Sequence, residues 1–385
     1  MRHLFPALVI TALVCNYMGA QQLKSAQDPY LELMDKASAH AAAHGAFIPA
    51  LSPIDDSVVQ LHQAKPNTAL VPVAQLRAKG IRVIPWTTND PESMRKIIES
   101  GVDGLITDRP DLLQNVLREE LAKAGEKDRY RLSHFDVSAH RGGRGLRPEN
   151  TLPAFESGLD ELSTTLETDT GVSSDHVSTI WHDQFYNPES CRRADGQPYT
   201  MQNRVYLSDI TAMEAQNTFI CDKLHYSKDQ KNDLSLSPVS VAFAHKEHLI
   251  NPYVATNVDH LFRFVAFYVD YYRSGPGKNS SEATARAANA EHVRFNIETK
   301  ILPNLRPSER VPPNHSVSPE VFVDVLAGTI LKHGMQTRAE IQSFDFRTVQ
   351  LVEEKFPQIP TYYLTQDPKL FFSEFVPATL RLKAE

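Results

Sequence analysis

Short apolar runs of strand length alternate with amphipathic runs of helix length on both sides of a polar linker, "EKDRYRLSH", at residues 126–134. Upstream of it, "VPVAQLRAKG" reads as a helix stopped by Gly80 and "IRVIPWTTN" as a buried strand. "PESMRKIIESG" follows as a helix with Pro91 in its first turn and Gly101 past its end, then "VDGLITD" as a strand and "PDLLQNVLREELAKAG" as a helix. Downstream, "FDVSAHRG" is a strand, and Leu152, Phe155, Leu159 and Leu162 recur at helical spacing behind an Asn150-Thr151 cap. The reading places six strands downstream, at 135–141, 164–172, 177–183, 293–300, 340–345 and 360–364, and two upstream, at 81–89 and 104–108. Alternation of this kind favours parallel βα units, and eight such units close into a barrel whose chemistry sits at the carboxyl ends of the strands. The expected class is α/β, a TIM (β/α)8 barrel.

A hydrophobic fraction of 41% against 23% charged residues is enough to bury a core of that size. A net charge of −7 argues against a nucleic-acid surface while leaving room for a local basic pocket for one phosphate. Residues 1–20, "MRHLFPALVITALVCNYMGA", join a basic start to a short apolar run and end on small residues, the pattern of a secretory signal peptide. The rival is an uncleaved anchor, since Met18 fits the position three before the cut imperfectly. The expected location is secreted or periplasmic, with no stable membrane span after cleavage. Cys191 and Cys221 then remain. An oxidising compartment favours one disulfide between them, whereas in the cytosol they would be unpaired and structural.

Glu167 and Asp169 in "LETDTG" stand two apart, which on a strand aims both at one side. Glu298 and Lys300 in "NIETK" repeat that geometry on another strand. Three inward acids would raise one another's pKa unless a hard divalent cation neutralised them, although each alone could equally pair with an arginine on the rim. His140 and His182 each end a strand and suit general acid and base work near neutral pH. As metal ligands instead, they would favour zinc or iron. Arg141 and Lys300 suit a phosphoryl anion.

The segments "AHRGGRGLRPENTLPAFESGL", "LETDTGVS", "WHD", "FNIETK", "QSF" and "WTTN…GVDGLITDRP" resemble the successive motifs of the glycerophosphodiester phosphodiesterase family. That resemblance implies a TIM barrel that binds one divalent cation, Ca²⁺ or Mg²⁺, and hydrolyses glycerophosphodiesters to glycerol 3-phosphate and an alcohol through a cyclic phosphate. It implies His140 and His182 as catalytic, Glu167, Asp169 and Glu298 as metal ligands, and Arg141 and Lys300 as phosphate contacts. Glu149 and Asn150 match the family's Pro-Glu-Asn-Thr turn, and Trp86 a substrate-side aromatic. The expected partner is a small-molecule glycerophosphodiester, with no nucleic acid.

The order departs from the family, because the segments resembling its last two strands come first here. The expected organisation is one circularly permuted barrel over 28–385, with the last two strands in 28–125 and the first six in 131–385. An insertion follows the third family strand, at 184–290, where "FRFVAFYVDYY" is either a buried barrel helix or an apolar mouth. A lysophospholipase D-like phosphodiesterase and a non-catalytic glycerophosphodiester-binding protein are the alternative functions.

Overall fold

The computed structural model describes residues 28–61, 70–302 and 314–383, so the expected signal peptide lies outside the described residues. The strands in chain order are β1 (Ala50–Pro53), β2 (Gly104–Thr107), β3 (Asp136–Ala139), β4 (Thr165–Val172), β5 (Ser178–Ile180), β6 (Arg192–Arg193), β7 (Phe219–Ile220), β8 (Thr256–Asn257), β9 (Arg294–Thr299), β10 (Ala339–Ser343) and β11 (Thr361–Thr365). Neighbours pair in the order β1-β11-β10-β9-β4-β3-β2, and every pair on that path is parallel. The gap between β1 and β2 is filled by the extended segment 83–86. Parallel bridges join Val83 to Leu51, and Trp86 both to Ile54 and to Ile106. Pro85 within it has no N–H to give to a ladder, which breaks an otherwise regular strand into bridges. With this eighth member the ring is closed.

Alternation along the strands sorts the side chains into two sets. Leu51, Val83, Leu105, Val137 and Tyr363 pack with helix residues such as Leu33, Ile97 and Leu113, and Leu166, Phe295, Ile297 and Ile341 pack with Phe155, Phe262 and Leu326. The intervening positions fill the interior in layers. At the amino ends of the strands, Arg82 binds Asp136 (3.0 Å) and the Tyr362 hydroxyl (2.7 Å), while Arg294 pairs with Glu340 and lies 3.5 Å from Asp136. Above that layer sit Ala50, Ile84 and Ile106, and above them the acids of β4 and β9. Arg294→Met should cost about 3 kcal/mol, the lower end for removing the partner of a buried charge, because Arg294 is itself partly exposed and Arg82 still lies 3.0 Å from Asp136 and 3.9 Å from Glu340. Urea denaturation would show a lower midpoint at unchanged slope; an unchanged midpoint would mean that the layer contributes nothing to stability.

Two strand assignments differ from the sequence expectation. Ala50–Pro53 belongs to the ring, although Ser52-Pro53 has the chemistry of a turn; Pro53 ends the strand, where its missing N–H matters least. Conversely, the stretch 177–183 is not a ring strand. β4 outruns the ring, and its far end, Thr170–Val172, folds back on β5 as an antiparallel hairpin that β8 extends. The ring therefore takes three members from before the polar linker and five from after it, not two and six. The 184–290 region accordingly separates the second and third ring strands of the downstream part, β4 and β9.

That region divides in function. Cys191 and Cys221 form a disulfide beside the small β6–β7 sheet, over a separate core of Trp181, Tyr186, Leu207 and Phe219. The helix Val258–Arg273 buries Leu261, Phe262, Phe264, Val265 and Tyr268 against the barrel wall. The aromatic run is thus a barrel helix and not an apolar mouth.

Candidate active site

Register assembles the site. In the β4–β9 ladder Asp169 lies opposite Glu298, so the three acids Glu167, Asp169 and Glu298 meet at one mouth, all buried, with ligand atoms within 4.8 Å of one another. Gln342 on β10 donates to Glu167 (2.9 Å), and Asn150 donates to Asp169 (2.9 Å) while accepting from Thr168.

In the β2–β3 ladder Thr107 lies opposite Ala139, which brings the following residues, Asp108 and His140, side by side. The His140 Nδ1 is 2.6 Å from an Asp108 oxygen, and its Nε2 is 3.9 Å from Glu167. A carboxylate only accepts, so the proton is on Nδ1 and Nε2 is left facing the acids. Asp108 is itself clamped by Arg144 (2.7 Å) and by Asn89 of the "WTTN" segment (2.8 Å). His182, carried by the turn after β5, repeats the device by donating from Nδ1 to Asp183 (2.9 Å). Asp183 in turn accepts from Asn187.

The loop after β3 is bent sharply to make this possible. Arg141 adopts a left-handed φ of 51°, its N–H donating to Glu167 (2.8 Å) and its carbonyl accepting from the Asn150 N–H (3.0 Å). At Gly142 a Cβ would stand 2.7 Å from the Phe155 nitrogen, so only glycine lets the helix Leu152–Asp160 close on the loop. The Arg141 guanidinium grips Glu149 (2.5 Å) and Asp169 (3.1 Å); Lys300 grips Glu298 (2.8 Å) and lies 3.7 Å from Asp169. Both cations expected to meet a phosphate are therefore held among the acids. Trp86 lies half-buried at the end of the 83–86 segment, donating to the Ser52 carbonyl and meeting Phe344 edge-on at 5.4 Å.

The electrostatics describe a charge-hungry mouth. Burial, then the neighbouring Asp169, pushes the Glu167 carboxyl well above the usual range, and burial with Asp169 raises Glu298 against the pull of Lys300. Burial would raise Asp169 too, but Arg141, His182 and Lys300 hold it well below. The Asp169 Oδ1, buried, has no hydrogen-bond partner. An all-oxygen trio with a carboxylate oxygen that takes no hydrogen bond and has only the Lys300 ammonium 3.7 Å away fits a hard divalent cation. Burial and the Arg144 charge, against Asp108, push His140 down to about 4, which keeps its imidazole neutral.

Three of these groups, Arg144, Gln342 and Tyr226, escape the sequence reading of the site, which expects Asp108 at the same cavity as His140 without giving it a role. Tyr226, from the 184–290 region, donates to Glu149 (2.7 Å) and lies under the Arg144 guanidinium (4.4 Å). Arg144 and Gln342 stand inside quoted motifs, four residues after His140 and beside Ser343; Tyr226 carries no local signal.

A profile of the glycerophosphoryl diester phosphodiesterase family matches residues 15–112 and 140–373. The chain is 42% identical over 43 residues to a glycerophosphodiester phosphodiesterase of Caldanaerobacter subterraneus subsp. tengcongensis, a stretch that is 11% of this chain and spans only 18% of that relative. Among solved structures it is similar to an Oleispira antarctica phosphodiesterase in complex with the product sn-glycerol-3-phosphate, at 15% identity and TM-score 0.34, over 59% of this chain and 63% of that one. It is also similar to a glycerophosphodiester phosphodiesterase from Agrobacterium tumefaciens, at 15% identity and TM-score 0.33, over 58% of this chain and 64% of that one.

Proposed function

The chain belongs to the glycerophosphoryl diester phosphodiesterase family, and from that premise we propose that it hydrolyses glycerophosphodiesters to glycerol 3-phosphate and an alcohol. The observation that carries the reading is the meeting at one barrel mouth of the acid trio with two imidazoles whose Nδ1 atoms are both held by carboxylates. Each imidazole then has Nε2 for proton transfer. One takes the proton of the glycerol hydroxyl next to the ester as that oxygen bonds to phosphorus. The other protonates the alcohol oxygen as its bond to phosphorus breaks, leaving a five-membered cyclic phosphate. Water opens the ring with the two roles exchanged. Arg141 and Lys300, at the floor of the mouth, supply positive charge for the phosphoryl oxygens, and Glu149 and Tyr226 hold Arg141 and Arg144 in place.

Glu167, Asp169 and Glu298 would hold one Ca²⁺ or Mg²⁺, which supplies Lewis acidity to a phosphoryl oxygen and eases ionisation of the attacking hydroxyl. The test is turnover of glycerophosphocholine, glycerophosphoethanolamine and a lysolipid, each with Ca²⁺, Mg²⁺ or Zn²⁺, before and after chelation. Turnover of the first two should vanish in excess chelator and return best with Ca²⁺ or Mg²⁺. Full activity in chelator would end the metal assignment, and absence of turnover under every condition would end the catalytic one.

The order of strands supports one more reading: the barrel is a circular permutation of the family's. Counted from β3, the ring runs β3, β4, β9, β10, β11, then β1, the 83–86 segment and β2. The break therefore falls between the fifth and sixth ring members.

A further inference from the structure

At the opposite end of the barrel, the first helix among the described residues, Pro29–Ala43, leads into the second histidine of "HAAAH". His40 and His44 are four apart, hence on one face, with ring centroids 4.5 Å apart. Beside them stands Glu354, from the helix Phe346–Lys355 that leads into β11. Potential ligand atoms of His40, His44 and Glu354 lie within 4.8 Å of one another. We propose that these three side chains form a second metal site, for a borderline divalent ion of the zinc class, which clamps the first helix to the helix before β11.

The orientation of the rings favours this. His44 Nδ1 lies 2.9 Å from the His40 carbonyl, so that nitrogen carries the proton and Nε2 keeps its lone pair. His40 is hydrogen-bonded by the backbone of Gln350, and its buried Nε2 has no hydrogen-bond partner, so that contact falls to Nδ1. Both imidazoles thus donate from one nitrogen to a main-chain carbonyl and offer the other, the arrangement that fixes ring and tautomer in metal-bound histidines. His40 Nε2 faces only acceptors: a Glu354 oxygen at 3.4 Å and a Glu353 oxygen at 3.8 Å. A proton, a water or a metal can satisfy it. Two nitrogens and one oxygen suit zinc, cobalt or nickel in place of calcium or magnesium, with a water completing four ligands. Bonds of about 2.0–2.2 Å bring tetrahedral ligand atoms to roughly 3.4 Å, a closure that the exposed His44 and Glu354 can make by rotamer changes.

The site lies at the stability end of the barrel. His44 precedes β1 and Glu354 precedes β11, whereas the catalytic acids sit at the carboxyl ends of their strands. Its loss should therefore show in stability and metal uptake and leave the catalytic constellation in place.

The test uses the untagged full-length protein, stripped with chelator and then titrated with Zn²⁺ by calorimetry and with Co²⁺ by visible absorption. Glu298→Gln lowers binding at the acid trio, and His44→Ala, an exposed change, removes one ligand of the new site. The wild type and E298Q should show a common high-affinity Zn²⁺ site and an intense tetrahedral Co²⁺ band, and Zn²⁺ should raise the melting temperature of E298Q. H44A and E298Q/H44A should lose that site by about tenfold or more in affinity, with the band and the thermal shift. Coincident Zn²⁺ isotherms and Co²⁺ spectra for E298Q and E298Q/H44A would overturn the proposal and leave a proton or a water at His40 Nε2.

Discussion

His140→Ala is expected to lower turnover of a glycerophosphodiester by about a hundredfold or more, the scale of a general acid or base, while far-ultraviolet circular dichroism and the melting temperature stay near wild type. The size follows from how much of the site exists to orient this one ring. β2 and β3 bring Asp108 beside it, Asp108 is held by Arg144 and Asn89, and the whole assembly points Nε2 at the acid trio. Removing the ring leaves Asp108 paired with Arg144, so no unpaired buried charge remains to unfold the protein. Asp108→Asn is the companion variant. It keeps the imidazole but replaces an obligate acceptor with an amide that can donate, so the tautomer with Nδ1–H is no longer enforced. A fall in kcat with little change in KM would mark Asp108 as a positioning residue. Near-normal kcat in H140A would withdraw His140 from proton transfer.

The sequence carried the parts of this site that depend on local geometry. A period of two on one strand is enough to aim Glu167 and Asp169 together, and the same pattern places Glu298 beside Lys300. The sequence also placed the strand at 104–108 beside the one at 135–141, which the β2–β3 ladder bears out; what it did not carry was the residue-by-residue register. Asp108 becomes the partner of His140 only because Thr107 registers with Ala139 across two strands, and Gln342 reaches Glu167 across the interior from β10. Tyr226 arrives from a long loop with no periodicity at all. The fold shows the same division. An apolar run announces a strand but not the direction of its neighbour, so "VSTIWHD" looked like a ring member when it is an antiparallel hairpin arm. The four residues of β1, with a proline at their end, are too few to show alternation. The total of eight stood because these two errors cancel.

The largest effect of all should come from cutting the chain at its polar linker. A fragment of residues 131–385 keeps five ring strands and loses β1, the 83–86 segment and β2. It would expose β3 and β11 as open edges and strip Val137 and Tyr363 of Leu51, Val83 and Leu105. It would also take Asp108 from His140. The expected result is an insoluble or inactive product, with some recovery on co-expression of residues 21–125. A chain that starts at residue 131 and carries residues 28–125 after residue 385, through a short flexible linker, should by contrast fold and turn over substrate. The segments to be joined already lie side by side: the Lys36 ammonium donates to the Arg381 carbonyl (3.0 Å), and Tyr30 meets the Phe371 ring at 5.3 Å. Linking them costs little, and opening the chain at 126–130 severs no ring strand, although the stretch expected as a linker is the helix Glu126–Ser133 and loses its first turn. Activity per mole, circular dichroism and the melting temperature of the two products decide the matter. A soluble, fully active 131–385 fragment would show that the upstream three ring members are dispensable. A recut chain that aggregates would show that the connection through 126–130 is needed for folding, and the permutation reading would fall with either result.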